Sequence, residues 1–227
     1  MKKQTFHYLI IMLVVCFIAS CSSPKDQTQE SAETESQEKD TEKEISMVLN
    51  ANLTSAQDLL TIEGVSADLA DQIISGRPYL NMYTLDSILA GSFSEDEKNA
   101  VYSSLFVPLD LNTASEIEFK MIPGVGEKMA HEFEEYRPYV SIEQFRREIG
   151  KYVDDEEVAR YENYVFVPVN LNKATDEEIL SIPGVGDKML HEFKEYRPYT
   201  SIAQFRREIG KYVDDSELDR LERFVTL

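Results

Sequence analysis

The sequence predicts an all-α protein, because a glycine turn between two short helical patterns returns at intervals of 60 residues. The clearest copies of the turn are residues 122–126 and 182–186, and residues 62–66 form a weaker one. Around each turn, apolar residues stand three and four positions apart, which is the spacing of an amphipathic helix. Strand patterns are short and weak, so no sheet is expected to organise the fold.

The turn divides the chain into three similar segments without gaps. We call them block 1 (47–107), block 2 (108–167) and block 3 (168–227). Blocks 2 and 3 agree most closely over residues 131–155 and 191–215. Each block is near the lower size limit for independent folding. We therefore expect neighbouring blocks to stabilise one another by packing, as in repeat proteins.

Block 2 illustrates how the first helix of each block is predicted. Asn112 is expected to cap this helix, since asparagine is a favoured N-cap residue. Asn52 and Asn172 hold the same place in the other blocks. The helix is predicted to run to about Met121, with Ile117 and Met121 facing inward.

Three further helices are expected in the same block. The second should end before Pro138, because proline disfavours the helical conformation in the residue before it. Ser141 and Gln144 predict a capping box at the start of the third helix. The acidic residues 154–157 suit the start of a fourth helix, where the dipole favours negative charge. Residues 165–167 are interpreted as a connector.

The N-terminal segment 1–20 resembles a bacterial lipoprotein signal peptide. Two lysines precede an apolar run over residues 8–19, which is too short to span a bilayer comfortably. The run ends in Ile-Ala-Ser-Cys at residues 18–21, which is similar to a lipobox. The resemblance implies that Cys21 is lipidated and anchors the protein to a membrane of the bacterial cell envelope, outside the cytoplasm. An ordinary secretory signal or a short anchor helix is the alternative.

Residues 21–46 are predicted to be the lipidated cysteine followed by a disordered acidic linker. The linker holds almost no apolar residues, so it cannot bury enough surface to offset the loss of chain entropy. The two cysteines of the chain, Cys16 and Cys21, both precede it. The three blocks therefore contain no disulfide, no thiolate metal ligand and no cysteine nucleophile.

The charge balance limits the possible functions. The chain has 42 Asp and Glu against 23 Lys and Arg, a net charge of −19. This argues against a general electrostatic nucleic-acid binder, because phosphate neutralisation needs basic residues, but it leaves room for a small local anion site. No serine-hydrolase, nucleotide-binding or zinc-protease motif is present. The sequence predicts no catalytic residues, no cofactor and no metal site.

The motif that surrounds the glycine turn resembles the helix-hairpin-helix domain of the ComEA type. The matching residues in block 2 are Leu111, Asn112, Ala114, residues 122–126, Lys128, Tyr136, Arg137, Ser141, Ile142 and Phe145. The resemblance implies three tandem helix-hairpin-helix repeats. It also implies an extracytoplasmic receptor that holds double-stranded DNA, with a possible role in DNA uptake.

The resemblance places the DNA contacts at the hairpins. Backbone N–H groups at the start of the second helix, together with the helix dipole, suit a phosphate oxygen. Such contacts do not read bases, so binding would be independent of sequence. In block 1, Ser66 replaces the second glycine and Asp68 replaces the lysine, so its hairpin is not assigned. The implied DNA-phosphate residues are Gly124, Val125, Gly126, Lys128, Gly184, Val185, Gly186 and Lys188.

Alternatives to these site assignments remain open. The glycines can serve only to let two helices pack closely. The basic residues Arg146, Arg147 and Lys151, with their block 3 counterparts, either form a stripe or are paired with nearby carboxylates. The alternative function is an envelope scaffold that binds a protein partner and no DNA, and an acidic surface suits a basic partner.

Overall fold

The computed structural model describes residues 47–227, which lie within the compact unit Glu44–Leu227. This part of the chain is mostly helical, as the sequence predicts, with twelve helices and six two-residue strands. None of its helices has the length and apolar character needed to cross a membrane. The predicted signal peptide, Cys21 and the linker to residue 46 lie outside the described residues.

The same order of elements occurs in each block. Block 1 contains β1 (Leu49–Asn50), α1 (Ala56–Leu59), α2 (Ala67–Ser75), α3 (Met82–Leu89), α4 (Glu95–Tyr102) and β2 (Leu105–Phe106). Block 2 contains β3 (Leu109–Asp110), α5 (Glu116–Phe119), α6 (Glu127–Glu135), α7 (Ile142–Ile149), α8 (Asp155–Glu162) and β4 (Val165–Phe166). Block 3 contains β5 (Val169–Asn170), α9 (Asp176–Leu180), α10 (Asp187–Glu195), α11 (Ile202–Ile209), α12 (Asp215–Glu222) and β6 (Val225–Thr226).

A parallel pair of short strands joins the two ends of each block. β1 pairs with β2, β3 with β4, and β5 with β6. The interpretation of residues 165–167 as a plain connector was therefore wrong, since Val165 lies opposite Leu109 in a ladder. The strand partner stands at the other end of the block, so no local pattern could reveal it.

The first helix is shorter than the sequence suggested and begins later. In block 2 its N-cap is Ser115, whose side chain forms a capping box with Glu118. Asn112 precedes this cap, so its predicted role as N-cap was wrong. Only one turn of helix follows, which leaves Ile117 59% exposed and buries Phe119 instead.

The side chain of Asn112 instead forms hydrogen bonds with the loop that follows α6. Its Oδ1 accepts a hydrogen bond from the backbone N–H of Tyr139 at 2.7 Å, and its Nδ2 donates to the Tyr139 carbonyl at 2.9 Å. The loop contains a cis peptide bond before Pro138. The same pair of bonds joins Asn52 to Tyr79 and Asn172 to Tyr199.

The capping box predicted at α7 is formed in a modified way. Ser141 is the N-cap and its side chain accepts from the backbone N–H of Gln144, as expected. The Gln144 side chain accepts a hydrogen bond from the N–H of Val140 at 2.9 Å, one residue before the cap. The glutamine therefore stabilises the end of the loop that Asn112 holds.

The blocks pack against one another. Blocks 1 and 2 share one apolar core, in which Phe106 of β2 meets the Tyr164 ring edge-on at 5.0 Å. Block 3 has a second apolar cluster, to which Phe166 of β4 contributes. Phe166 lies 4.2 Å from Phe224, measured between ring centroids. The short strands thus carry aromatic side chains from one block into the next.

Arg223 connects all three blocks. It follows α12 in block 3 and donates hydrogen bonds to the carbonyl of Pro108 at 2.7 Å and to that of Tyr79 at 3.4 Å. Burial lowers the pKa of its guanidinium to about 10, which leaves it charged at neutral pH. Asn163 and Ser103 occupy the corresponding places in the other blocks, so this connection exists once.

The pair of hydrogen bonds from each asparagine to a tyrosine backbone, which we call the asparagine bracket, gives a test of stability. Replacing Asn52 by alanine removes both hydrogen bonds to Tyr79 and leaves a buried backbone N–H without its acceptor. We expect the free energy of unfolding to fall by about 2 kcal/mol in urea denaturation. The exposed Asn99 of α4 is the control, and Asn99→Ala should change stability by less than about 0.5 kcal/mol. Equal effects of the two substitutions would contradict a special role for Asn52.

Candidate nucleic-acid interface

The first glycine of each hairpin has the backbone conformation that glycine favours. The φ angles of Gly124 and Gly184 are +81° and +83°, in the left-handed region that side chains resist. The valine that follows is buried, and the N–H of Val125 donates to the Ile122 carbonyl at 2.9 Å. The predicted residues Val125 and Val185 therefore contribute a core side chain, and only their backbone faces the turn.

The second glycine leaves the start of the following helix open. Gly126 is the N-cap of α6 and Gly186 that of α10, and neither helix has a side-chain cap. Both glycines are exposed, and a Cβ added to either would meet nothing within 4 Å. The first N–H groups of a helix have no partner inside the helix. At α6 and α10 they are thus available to an external acceptor.

In block 1 a serine side chain caps the N-terminus of the corresponding helix. Ser66 caps α2, and its hydroxyl accepts a hydrogen bond from the N–H of Leu69 at 3.2 Å. Asp68 follows in the first turn and adds negative charge. The substitution of serine for glycine therefore satisfies a donor that stays open in the other two blocks.

Lys128 and Lys188 lie in the first turn of the open helices. Both are exposed, and neither forms an ion pair within residues 47–227. Glu127 and Asp187 precede them in the first turn and place a carboxylate near the positive end of the helix dipole. These carboxylates oppose an anion, and the lysine is the side chain in the first turn that supplies positive charge for a bound phosphate.

The structure reveals two arginines at the hairpins that the sequence did not suggest. A Cβ on Gly124 would lie 3.1 Å from Nη2 of Arg160, and one on Gly184 would lie 3.0 Å from Nη2 of Arg220. Each arginine comes from the last helix of its block. Its guanidinium is held by a glutamate three residues earlier, at 2.6 and 2.7 Å in both blocks. The bond to Glu157 raises the pKa of Arg160.

A comparison of the blocks could have drawn attention to these arginines. Block 1 has Ala100 at the corresponding position, and its hairpin glycine faces Phe93 instead, at 2.7 Å from the place of a Cβ. In block 2 the counterpart of Phe93 is the smaller Val153. The space beside the turn is thus filled either by an aromatic ring or by a guanidinium.

The predicted basic clusters are paired with carboxylates. Arg146 contacts Glu162 at 2.6 Å, while Arg147 and Lys151 both contact Glu148. Block 3 repeats the arrangement, with the pairs Arg206–Asp219, Arg206–Glu222, Arg207–Glu208 and Lys211–Glu208. These basic residues are thus paired with carboxylates, which was one of the two alternatives, and they do not form a free basic stripe.

Arg137 also has an internal role. Its guanidinium donates to the backbone carbonyls of Leu111 and Ala114, and Arg197 donates to the carbonyl of Ala174. These arginines stabilise the loop at the start of each block. Within residues 47–227, no three side chains of His, Cys, Asp or Glu are placed to hold a metal ion.

Comparison with known proteins gives no assignment. The chain matches no family model, no curated protein and no solved structure. The open helix N-termini and the lysines beside them are therefore the features from which a function can be argued.

The two glycines of a hairpin should respond differently to substitution. Gly124→Ala forces a side chain into the left-handed region and against Arg160, so we expect a loss of stability of about 1–2 kcal/mol. Gly126→Ser should be tolerated, because its φ of −90° is extended and its surroundings are open. Thermal or urea unfolding measures both. Equal loss at the two positions would show that the second glycine also has a structural role.

Proposed function

We propose that this protein consists of three tandem helix-hairpin-helix repeats of the ComEA type and binds double-stranded DNA without sequence preference. The contacts are made by the hairpins of blocks 2 and 3. One observation carries the proposal. Two helix N-termini are open and each is followed by an exposed lysine without an ion-pair partner in residues 47–227, while the third N-terminus is capped.

The chemistry of binding follows from these groups. A phosphate oxygen accepts hydrogen bonds from the N–H groups that follow Gly126 or Gly186, where the helix dipole favours an anion. Lys128 or Lys188 adds a positive charge at the same place. The contacts reach the sugar-phosphate backbone and no base edges, so every duplex sequence is accepted.

The acidic surface restricts how a duplex can approach. With a net charge of −19, most of the surface repels phosphate, and within residues 47–227 the hairpins of blocks 2 and 3 combine an open helix N-terminus with an exposed lysine. The affinity of one molecule is therefore weak. We further propose that lipid on Cys21 anchors the protein outside the cytoplasm, with residues 22–46 as a tether. Many anchored copies along one membrane would then hold a long duplex by multivalency, as DNA uptake requires.

Duplex binding tests the proposal directly. The chain should bind a labelled duplex at about 50 mM salt, and the logarithm of the affinity should fall with log salt with a slope no steeper than about two. Lys128→Glu with Lys188→Glu should abolish binding. The control is the double variant Lys173→Glu with Lys194→Glu, which changes the net charge equally at exposed sites away from the hairpin turns. No binding by the unchanged protein would refute the proposal.

A second substitution separates binding from stability. Gly126→Ser with Gly186→Ser should add the cap that Ser66 gives to α2. We expect stability to stay equal or to rise by a few tenths of a kcal/mol. DNA affinity should fall at the same time, because the hydroxyl occupies a donor that the phosphate needs. Fluorescence anisotropy and urea unfolding measure the two effects, and unchanged affinity would contradict contact through these amides.

The scaffold function is the second candidate, and one observation favours it. An open groove of about 1340 Å³ runs past β4 and β5, and Leu80 and Val140 lie on its rim, 46% and 81% exposed. Such apolar side chains suit an envelope protein partner. If Val140→Asp removes a crosslinked envelope partner from cells, and no duplex binds the purified protein, the scaffold is the function.

A further inference from the structure

In the three described blocks, an arginine lies beside the hairpin turn where the following helix is uncapped, and none lies there where the helix is capped. Blocks 2 and 3 have Arg160 and Arg220 at this place, while block 1 has Ala100 there and Phe93 against its hairpin glycine. The lysine of the first turn follows the same division, since block 1 has Asp68 instead. A guanidinium beside the turn therefore accompanies the other features of the anion site.

Packing alone does not account for these arginines. In block 3 the Arg220 side chain is 2% exposed, and its Nη1 is buried without a hydrogen-bond partner. The ring that faces this guanidinium belongs to Phe224, while the equivalent ring in block 2 belongs to Tyr164, which carries a hydroxyl. A buried donor without an acceptor costs stability. The positive charge at this position therefore needs a reason other than the stability of the block.

Arg160 is the more accessible of the two arginines. Its side chain is 34% exposed, and its Nη2 lies 3.1 Å from the place of a Cβ on Gly124. Glu157 accepts hydrogen bonds from its Nε at 2.7 Å and from its Nη2 at 2.6 Å. A guanidinium has five N–H groups, so it keeps donors beyond those that face the glutamate. The guanidinium is thus held between a carboxylate of its own helix and the turn where a phosphate would bind.

We propose that Arg160 is a further phosphate ligand of the block 2 hairpin, and that Glu157 limits the affinity for DNA by competing for its guanidinium. The inference rests on the proposed function and adds a side chain to one of its two hairpins. Arginine suits this contact because its planar guanidinium matches the geometry of phosphate. The carboxylate of Glu157 repels the same phosphate. In block 3 the guanidinium of Arg220 is buried, so that hairpin binds with its backbone N–H groups and Lys188.

Duplex binding by the full-length protein in detergent, measured by fluorescence anisotropy over a salt series, tests the inference. Arg160→Gln leaves the Glu157 carboxylate without its cation. The affinity should then fall about tenfold, and the slope of log affinity against log salt should become shallower by about one. Glu157→Gln should act in the opposite direction, with an affinity that rises severalfold and a slope that becomes steeper by about one.

Asp176→Asn is the matched control. It also removes one carboxylate and releases a cation, because Asp176 pairs with Lys194 at 2.6 Å. This pair joins the start of α9 to the last turn of α10, at the end of the two helices opposite the hairpin turn. The substitution should therefore change the affinity by less than about twofold and leave the slope unaltered.

The opposite signs distinguish a phosphate ligand from a structural ion pair. If both substitutions shift the urea midpoint in one direction and leave the salt slope unchanged, the pair is structural and the inference is overturned. It is also overturned if Glu157→Gln and Asp176→Asn raise the affinity equally, because net charge alone would then set it. Binding by the unchanged protein retains the proposed function in both cases. If the unchanged protein binds no duplex at about 50 mM salt, where electrostatic affinity is strong, the proposed function fails and the inference with it.

Discussion

The rest of each block depends on one asparagine side chain that bonds both backbone groups of a tyrosine 27 residues later. This bracket joins the loop before the first helix to the loop after the second. The arginine two residues before that tyrosine can then reach the carbonyls of Leu111 and Ala114. The hairpin lies between the two joined loops, so its glycine turn is held in place at both ends. A loose hairpin would lose binding energy on ordering its donors.

The sequence predicted the parts of this arrangement that depend on local chemistry. The glycine turn, the end of the second helix before Pro138 and the acidic start of the fourth helix are all local effects. Asn112 was misjudged because asparagine suits both an N-cap and a loop bracket, and Ser115 with Glu118 makes the better cap. The strand pair and Arg160 depend on contacts across the block, which no local pattern records.

The distribution of free positive charge could not be read from composition either. The three blocks contain several arginines, but most donate to a carboxylate or to backbone carbonyls. Such pairs do little for stability at a surface, yet they remove the arginines as partners for an external anion. What matters for phosphate binding is therefore which cations are left unpaired. Lys128 and Lys188 are in that state, and both stand at an open helix N-terminus.

Block 1 keeps the fold of the other blocks although a few substitutions close the start of its second helix. Serine in place of the second glycine satisfies the open donor, and Phe93 fills the space that a guanidinium occupies elsewhere. Neither change disturbs the asparagine bracket, which still joins Asn52 to Tyr79. The loop beside this bracket also places Leu53 near Gly184 of block 3. The similarity of the three blocks thus reflects what folding requires, and their differences separate two open helix N-termini from a capped one.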